Sequence, residues 1–296
     1  MNGLTGQQPP ASSFSAAGAS RRGLAAALLA LGLLSAPAAA DPLAEFVRLC
    51  SAPESSAEDA LRFCERALDE GGRRLDARNR ALLNFNAGVA ALALSRNAHA
   101  VERLSEAIRL QPRMTAAYVS RAQAHEAGGR IEAALADYES AIAADPNDPG
   151  AHLGRGALLA DQGAYEAAVV DLGRAIALQP DWAASFFERG RAHYALGDYT
   201  SAERDFSAVI ARSPRDATAW INRGEARLAG GMARAGNDFD RAVLLAPEWG
   251  GAYYARGRFH ERSGATDAAN ADFLRAYQLG HNAPDLVARV KALSGG

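Results

Sequence analysis

Proline recurs at Pro112, Pro146, Pro180, Pro214 and Pro247, at intervals of 34, 34, 34 and 33 residues. A residue that lacks a backbone N–H and breaks helices has no reason to keep such a period inside one globular core. It has a reason in a stack of helix pairs, where each pair must stop before the next begins. The period therefore predicts a repeat architecture that works by binding along an extended surface.

The first 40 residues carry no trace of the period. Arg21 and Arg22 precede an apolar run from Leu24 to Leu34, and Ala38, Ala39 and Ala40 follow before Asp41. That series predicts an export signal over residues 1–40, its apolar run too short for a mature membrane span. The segment from Ser20 to Leu24 loosely resembles a twin-arginine signal, so the general secretory and twin-arginine routes both stay open. The chain has two cysteines, Cys50 and Cys64. They fall near the end of one predicted helix and inside the next, with Ser51-Ala52-Pro53 breaking the chain between them. In an oxidising compartment this pair is expected to form a disulfide that staples the hairpin. Periplasmic or secreted localisation is the expectation.

From Ala81 onward the segments 81–114, 115–148, 149–182, 183–216, 217–249 and 250–283 align. The eighth place holds Gly88, Ala122, Gly156, Gly190, Gly224 and Gly257. The twentieth holds Ala100, Ala134, Ala168, Ala202, Ala235 and Ala269. The twenty-fourth holds Leu104, Tyr138, Leu172, Phe206, Phe239 and Phe273. Small residues at fixed points let two antiparallel helices approach, and the large residue fills the space beside them. Gly129, Gly163, Gly197, Gly231 and Gly264 mark the turn within each pair, where a left-handed residue is wanted. The fifth copy is one residue short near its Gly230-Gly231 turn, and the sixth has His281 where proline is expected.

This pattern resembles the tetratricopeptide repeat (TPR), which combines a small eighth residue, alanine in the twentieth place, a large apolar twenty-fourth residue and a late proline. The resemblance implies an all-α, right-handed α-solenoid of helix-turn-helix units. Residues 41–80 read as an N-terminal helical hairpin, a degraded repeat serving as cap. Residues 81–283 hold six repeats. Residues 284–296 read as a capping helix and tail, with Leu286, Val287, Val290 and Leu293 on one face.

Arginine fills the seventh place in copies two to six, as Arg121, Arg155, Arg189, Arg223 and Arg256. Aspartate fills the twenty-third place of the same copies, as Asp137, Asp171, Asp205, Asp238 and Asp272. The first copy lacks both, having Ala87 and Arg103. Pairing with the preceding copy would set Arg121 against Arg103, so the ion pairs are expected within each copy, as structural supports that fix register.

His125, His193 and His260 share the eleventh place but stand in alternate copies, and are expected to be packing residues. The sequence has no zinc-ligand spacing, G-x-S-x-G, phosphate loop or dinucleotide fingerprint. No metal, cofactor or enzymatic activity is expected. With 32 Lys and Arg against 34 Asp and Glu, the formal net charge is −2, which offers no electrostatic footprint for nucleic acid.

The resemblance also implies a concave wall built from the first helix of each copy. Carried onto this chain it comprises Phe85, Val89 and Leu92, then Phe187, Arg191 and Tyr194, then Ile221 and Glu225, and finally Tyr254, Arg258, Glu261 and Arg262. Aromatic rings with charges of both signs suit a protein or peptide partner. Phe85, Phe187, Arg191, Tyr194, Glu225, Tyr254 and Arg258 are the expected partner-binding residues. The alternative is a structural subunit of an envelope complex that uses its edges and caps.

Overall fold

The computed structural model describes residues 42–71 and 74–293, so the export signal expected over residues 1–40 lies outside the described residues. Those residues form fifteen α-helices and no strand. Helices α1 (Pro42–Cys50) and α2 (Ala57–Gly71) make the N-terminal hairpin. Six pairs follow: α3 (Ala77–Ala93) with α4 (Asn97–Leu110), α5 (Thr115–Ala127) with α6 (Ile131–Ala144), and α7 (Pro149–Asp161) with α8 (Tyr165–Leu178). Then come α9 (Ala183–Ala195) with α10 (Tyr199–Arg212), α11 (Ala217–Ala229) with α12 (Ala235–Leu245), and α13 (Gly250–Arg262) with α14 (Thr266–Gln278). The single helix α15 (Pro284–Leu293) ends the series.

The first helix of copies two to six starts at the first place of its repeat. In α7 and α11 the start is held by Asp148 and Asp216, whose carboxylates accept from Ala151 N and from Thr218 and Ala219 N. In the first copy α3 begins four residues earlier than the repeat frame, because Asp76 caps it by accepting from Asn79 N. The boundary drawn at residue 80 therefore runs through a helix.

The turn within each pair is the same in all six copies. The sixteenth residue donates its N–H to the carbonyl of the eleventh, as Arg130 to His125 at 2.8 Å and Asp198 to His193 at 2.9 Å. This closure needs a left-handed residue in the fifteenth place, with φ of 80° at Gly163 and 78° at Gly197; the first copy sets Ser95 there at φ 58°.

In every pair but the second, which has Ala122 there, the eighth-place glycine receives the large twenty-fourth residue. A Cβ added at Gly190 would stand 2.9 Å from Phe206, and one at Gly257 2.8 Å from Phe273. The helices therefore meet closely, and Leu104, Leu172, Phe206, Phe239 and Phe273 are all buried.

The chain groups into two compact units, one ending at Asp137 and the other starting at Tyr138. In the first, the hairpin α1–α2 shares its core with α3, through Leu43, Val47, Leu61, Leu83 and Phe85. Cys50 and Cys64 form a disulfide inside that core, their Cα atoms 4.8 Å apart.

In the second unit, α15 buries Leu286 and Val290 against Phe273 and Ala276. Val287 is half-buried. Leu293 departs from the expected buried face and is 48% exposed, since α15 ends at that residue. The missing residue of the fifth copy also has a visible effect. Helix α12 starts at the twentieth place instead of the seventeenth, after Arg234 in a left-handed conformation at φ 72°.

Candidate partner-binding face

The arginine–aspartate pairs close within each copy, as two-pronged bonds between the first and second helices. Arg189 donates from Nε and Nη2 to Asp205 at 2.8 and 2.7 Å, and Arg155 to Asp171 at 2.7 and 2.8 Å. Arg121 meets Asp137, Arg223 meets Asp238 and Arg256 meets Asp272 in the same way. In the second, fifth and sixth copies the remaining guanidinium nitrogen reaches the preceding copy. Arg121 Nη1 donates to Ser105 at 2.9 Å, Arg223 Nη1 to Ser207 at 3.1 Å and Arg256 Nη1 to Asp240 at 3.0 Å. The fourth-place ring stacks on the same guanidinium, 4.7 Å from it for Trp220 on Arg223. Arg121, Arg223 and Arg256 thus each join their own pair, the preceding copy and an aromatic ring. The hydrogen bonds that Arg121 donates to Asp137 raise its pKa, and those that Arg256 donates to Asp272 do the same.

The histidines of the eleventh place are part of this system, a role that their spacing did not reveal. Their Nε2 atoms lie 3.7 Å from Asp137 for His125, 4.0 Å from Asp205 for His193 and 3.7 Å from Asp272 for His260. Burial lowers the pKa of His125, opposed by Asp137. In the third copy His152, from the fourth place, approaches Asp171 instead, Nδ1 to Oδ1 at 3.3 Å.

The expected partner-binding residues divide between the two units. In the first, Phe85 is 0% exposed, which removes it from any binding face. The wall places were carried over without regard to the N-terminal cap, whereas α1 and α2 of that cap pack onto α3 and enclose Phe85 in their shared core. Leu92 is buried with it, and Val89 packs against the same cluster.

In the second unit the first helices of neighbouring copies lie side by side and carry a charged, aromatic group. Arg191 on α9 donates from Nη1 to Glu188 at 2.6 Å and from Nη2 to Asp161 of α7 at 3.2 Å. Burial pushes the Glu188 carboxyl above its ordinary range, against the pull of Arg191. Tyr194 turns its edge to Tyr199, ring centroids 5.4 Å apart. Burial, then the charge of Glu225, push its hydroxyl up to about 12. Glu225 on α11 is only 13% exposed, with Arg258 Nη1 of α13 at 4.0 Å from Oε1. Burial raises its carboxyl pKa as well, opposed by Arg258 and Arg262.

Two of the expected residues are held by the fold. Phe187 packs edge-on against Phe206, centroids 5.8 Å apart. Tyr254 donates its hydroxyl to Asp285 of α15 at 2.6 Å, beside His281. A second link joins Arg289 of α15 to Glu261. The capping helix therefore sits on residues that the repeat frame assigned to the wall. Glu188 occupies the sixth place, which that frame does not assign to the wall. Asp161 occupies the thirteenth place of the third copy, equivalent to Arg262, so the frame contained the signal for it.

Among the described residues no group of three or more His, Cys, Asp or Glu could hold a metal ion, and no helix is long and apolar enough to cross a membrane.

The Tetratricopeptide repeat family model matches residues 85–149, 121–184 and 187–233. The chain is a tetratricopeptide-repeat protein, and its fold is the all-α solenoid of helix-turn-helix units that defines that family. Among solved structures it is similar to a tetratricopeptide repeat protein from Parabacteroides merdae at 20% identity and a TM-score of 0.62, covering 84% of this chain and 98% of that one. It is similar to PilF of Pseudomonas aeruginosa at 16% identity and a TM-score of 0.62, covering 72% and 97%. YrrB, a TPR protein with an unusual peptide-binding site, matches at 20% identity and a TM-score of 0.53, covering 65% and 97%. At these identities the likeness concerns the fold. No curated protein sequence matches this chain.

Proposed function

We propose that this protein is an exported, non-catalytic scaffold that captures a protein or peptide through the first helices of copies three to six. The observation that carries this reading is the cluster of Asp161, Glu188, Arg191, Tyr194, Glu225 and Arg258 on neighbouring helices. It holds two carboxyls that burial disfavours, Glu188 and Glu225. Arginine and tyrosine are also the residue types that most often carry interface energy. A fold does not keep such carboxyls for stability, since desolvation works against them. Peptide binding in YrrB, of the same fold, is consistent with this use of the repeat.

Export is supported by the basic, apolar and small-residue series through Ala40. The Cys50–Cys64 disulfide agrees with it, because disulfides persist outside the reducing cytosol. The test is capture from envelope extract by the protein beginning at Asp41. Replacing Arg191 and Tyr194 together by alanine is expected to weaken capture by about tenfold or more. Circular dichroism and the melting temperature are measured alongside. Wild-type capture by a folded double variant would leave the edges and caps as the working surfaces.

A further inference from the structure

A surface cavity of about 540 Å³ opens in the fifth copy, beside the start of α12. Its apolar lining is Leu228 of α11, Met232 of the turn and Phe259 of α13. Arg234, Asn237 and Asp240 stand around it. A volume of this size lies within the range of ligand pockets.

The third and fourth copies, which have tyrosine in the seventeenth place, show how an aromatic ring covers this position; the first, second and sixth have Asn97, Ile131 and Thr266 there. In the third copy the seventeenth residue, Tyr165, packs on the cluster that contains Ala160 of the twelfth place and Ala192, tenth place of the next copy. In the fourth copy Tyr199 occupies the seventeenth place, edge-on to Tyr194 of the twelfth, and it borders Gly230 of the next copy. In the fifth copy Met232, Ala233 and Arg234 span four places with three residues, and none is aromatic. The helical turn that would carry the ring is absent, because α12 begins only at Ala235. The residues equivalent to the platform under Tyr165 are Leu228 and Phe259, and both line the cavity.

We propose that this cavity receives a tyrosine side chain from a partner segment, in the position that Tyr165 and Tyr199 fill from within the chain. Phe259 offers a ring face or edge, and the Met232 thioether is a favourable neighbour for an aromatic ring. Exposed Asn237 and Asp240 leave the hydroxyl end in water or hydrogen-bonded. This site is separate from the cluster around Arg191 and Glu225, and it stands whether or not that cluster binds.

The chain has three methionines, Met1, Met114 and Met232, so methyl-labelled methionine gives a direct reporter. The probes are p-cresol and the blocked peptide acetyl-Gly-Tyr-Gly-amide, with acetyl-Gly-Ala-Gly-amide as control. The Met232 methyl resonance is expected to move saturably with p-cresol and with the tyrosine peptide while Met114 stays still, and the alanine peptide to do nothing. Phe259→Leu keeps an apolar side chain in the lining but removes its ring, and is expected to weaken binding of both probes by about tenfold. Ala233 is exposed. Ala233→Lys, which leaves the cavity open, is expected to bind as the parent does. A Met232 signal that ignores both probes at millimolar concentration overturns the proposal, as does an undiminished response in a folded Phe259→Leu variant. A response to p-cresol without one to the tyrosine peptide overturns it in favour of a small aromatic ligand.

Discussion

Arg227 Nη1 lies 2.8 Å from Asp238 Oδ2, in the place where the second, fourth and sixth copies set a histidine facing their own aspartate. Asp238 is therefore bound by two arginines, since Arg223 already holds both of its oxygens. Arg227 also donates from Nη2 to Glu203 at 2.8 Å, which ties the fifth copy to the fourth. From the fourth copy to the sixth the ladder is therefore a network and not a row of separate pairs.

The two partners of a rung are not equally exposed, and removing them should not cost the same. In the fourth copy the side chain of Asp205 is 4% exposed and that of Arg189 is 25% exposed. Arg189→Met strands a buried carboxylate and is expected to destabilise by about 3 kcal/mol. Asp205→Ala leaves a guanidinium that can turn to water, and is expected to cost clearly less. Urea denaturation of both variants measures the order.

Gly190→Ala drives a methyl group to within about 2.9 Å of Phe206. Overpacking of this kind is expected to cost about 1–3 kcal/mol. Gly173→Ala, whose nearest neighbour would be Arg189 Nη1 at 3.7 Å, is expected to be neutral or stabilising within a helix. Thermal melts of the two variants separate packing from helix propensity.

Reduction of the Cys50–Cys64 disulfide frees a loop spanned by a sequence separation of 14. Loss of about 3 kcal/mol is expected from the entropy of the unfolded chain. The loss should appear first in hydrogen exchange of α1 and α2, while α9 to α14 keep their protection. Equal loss of protection throughout the chain would refute a local staple.

Glu225 yields a pH dependence with a definite sign. Its carboxyl pKa is raised on folding by burial, against Arg258 and Arg262, with Tyr194 nearby. The folded chain thus holds that proton more tightly than the unfolded one, and stability from this group falls as pH rises from the ordinary carboxylate range through the raised value. Glu225→Gln is expected to melt higher than the parent at neutral pH and to show a shallower fall from acidic to neutral pH. A steeper fall would mean that Arg258 already neutralises the carboxylate.

The 34-residue proline spacing, the small eighth residues and the turn glycines made the helix pairs legible without coordinates. Each reports a local necessity: a helix stop, a close approach or a left-handed residue. Pairing of Arg189 with Asp205 was legible for a similar reason, because the first copy, with Ala87 and Arg103, lacks both partners. Exposure was not legible. Phe85 occupies the same repeat place as Phe187, yet α1 and α2 enclose it, and Tyr254 is engaged by Asp285 of α15. A repeat frame assigns faces as though every copy had identical neighbours, and at the ends of a stack it does not. The one-residue shortening of the fifth copy was visible in the sequence. Only packing decided that it would open a cavity over Leu228 and Phe259, because a void depends on which side chains fail to meet across two copies.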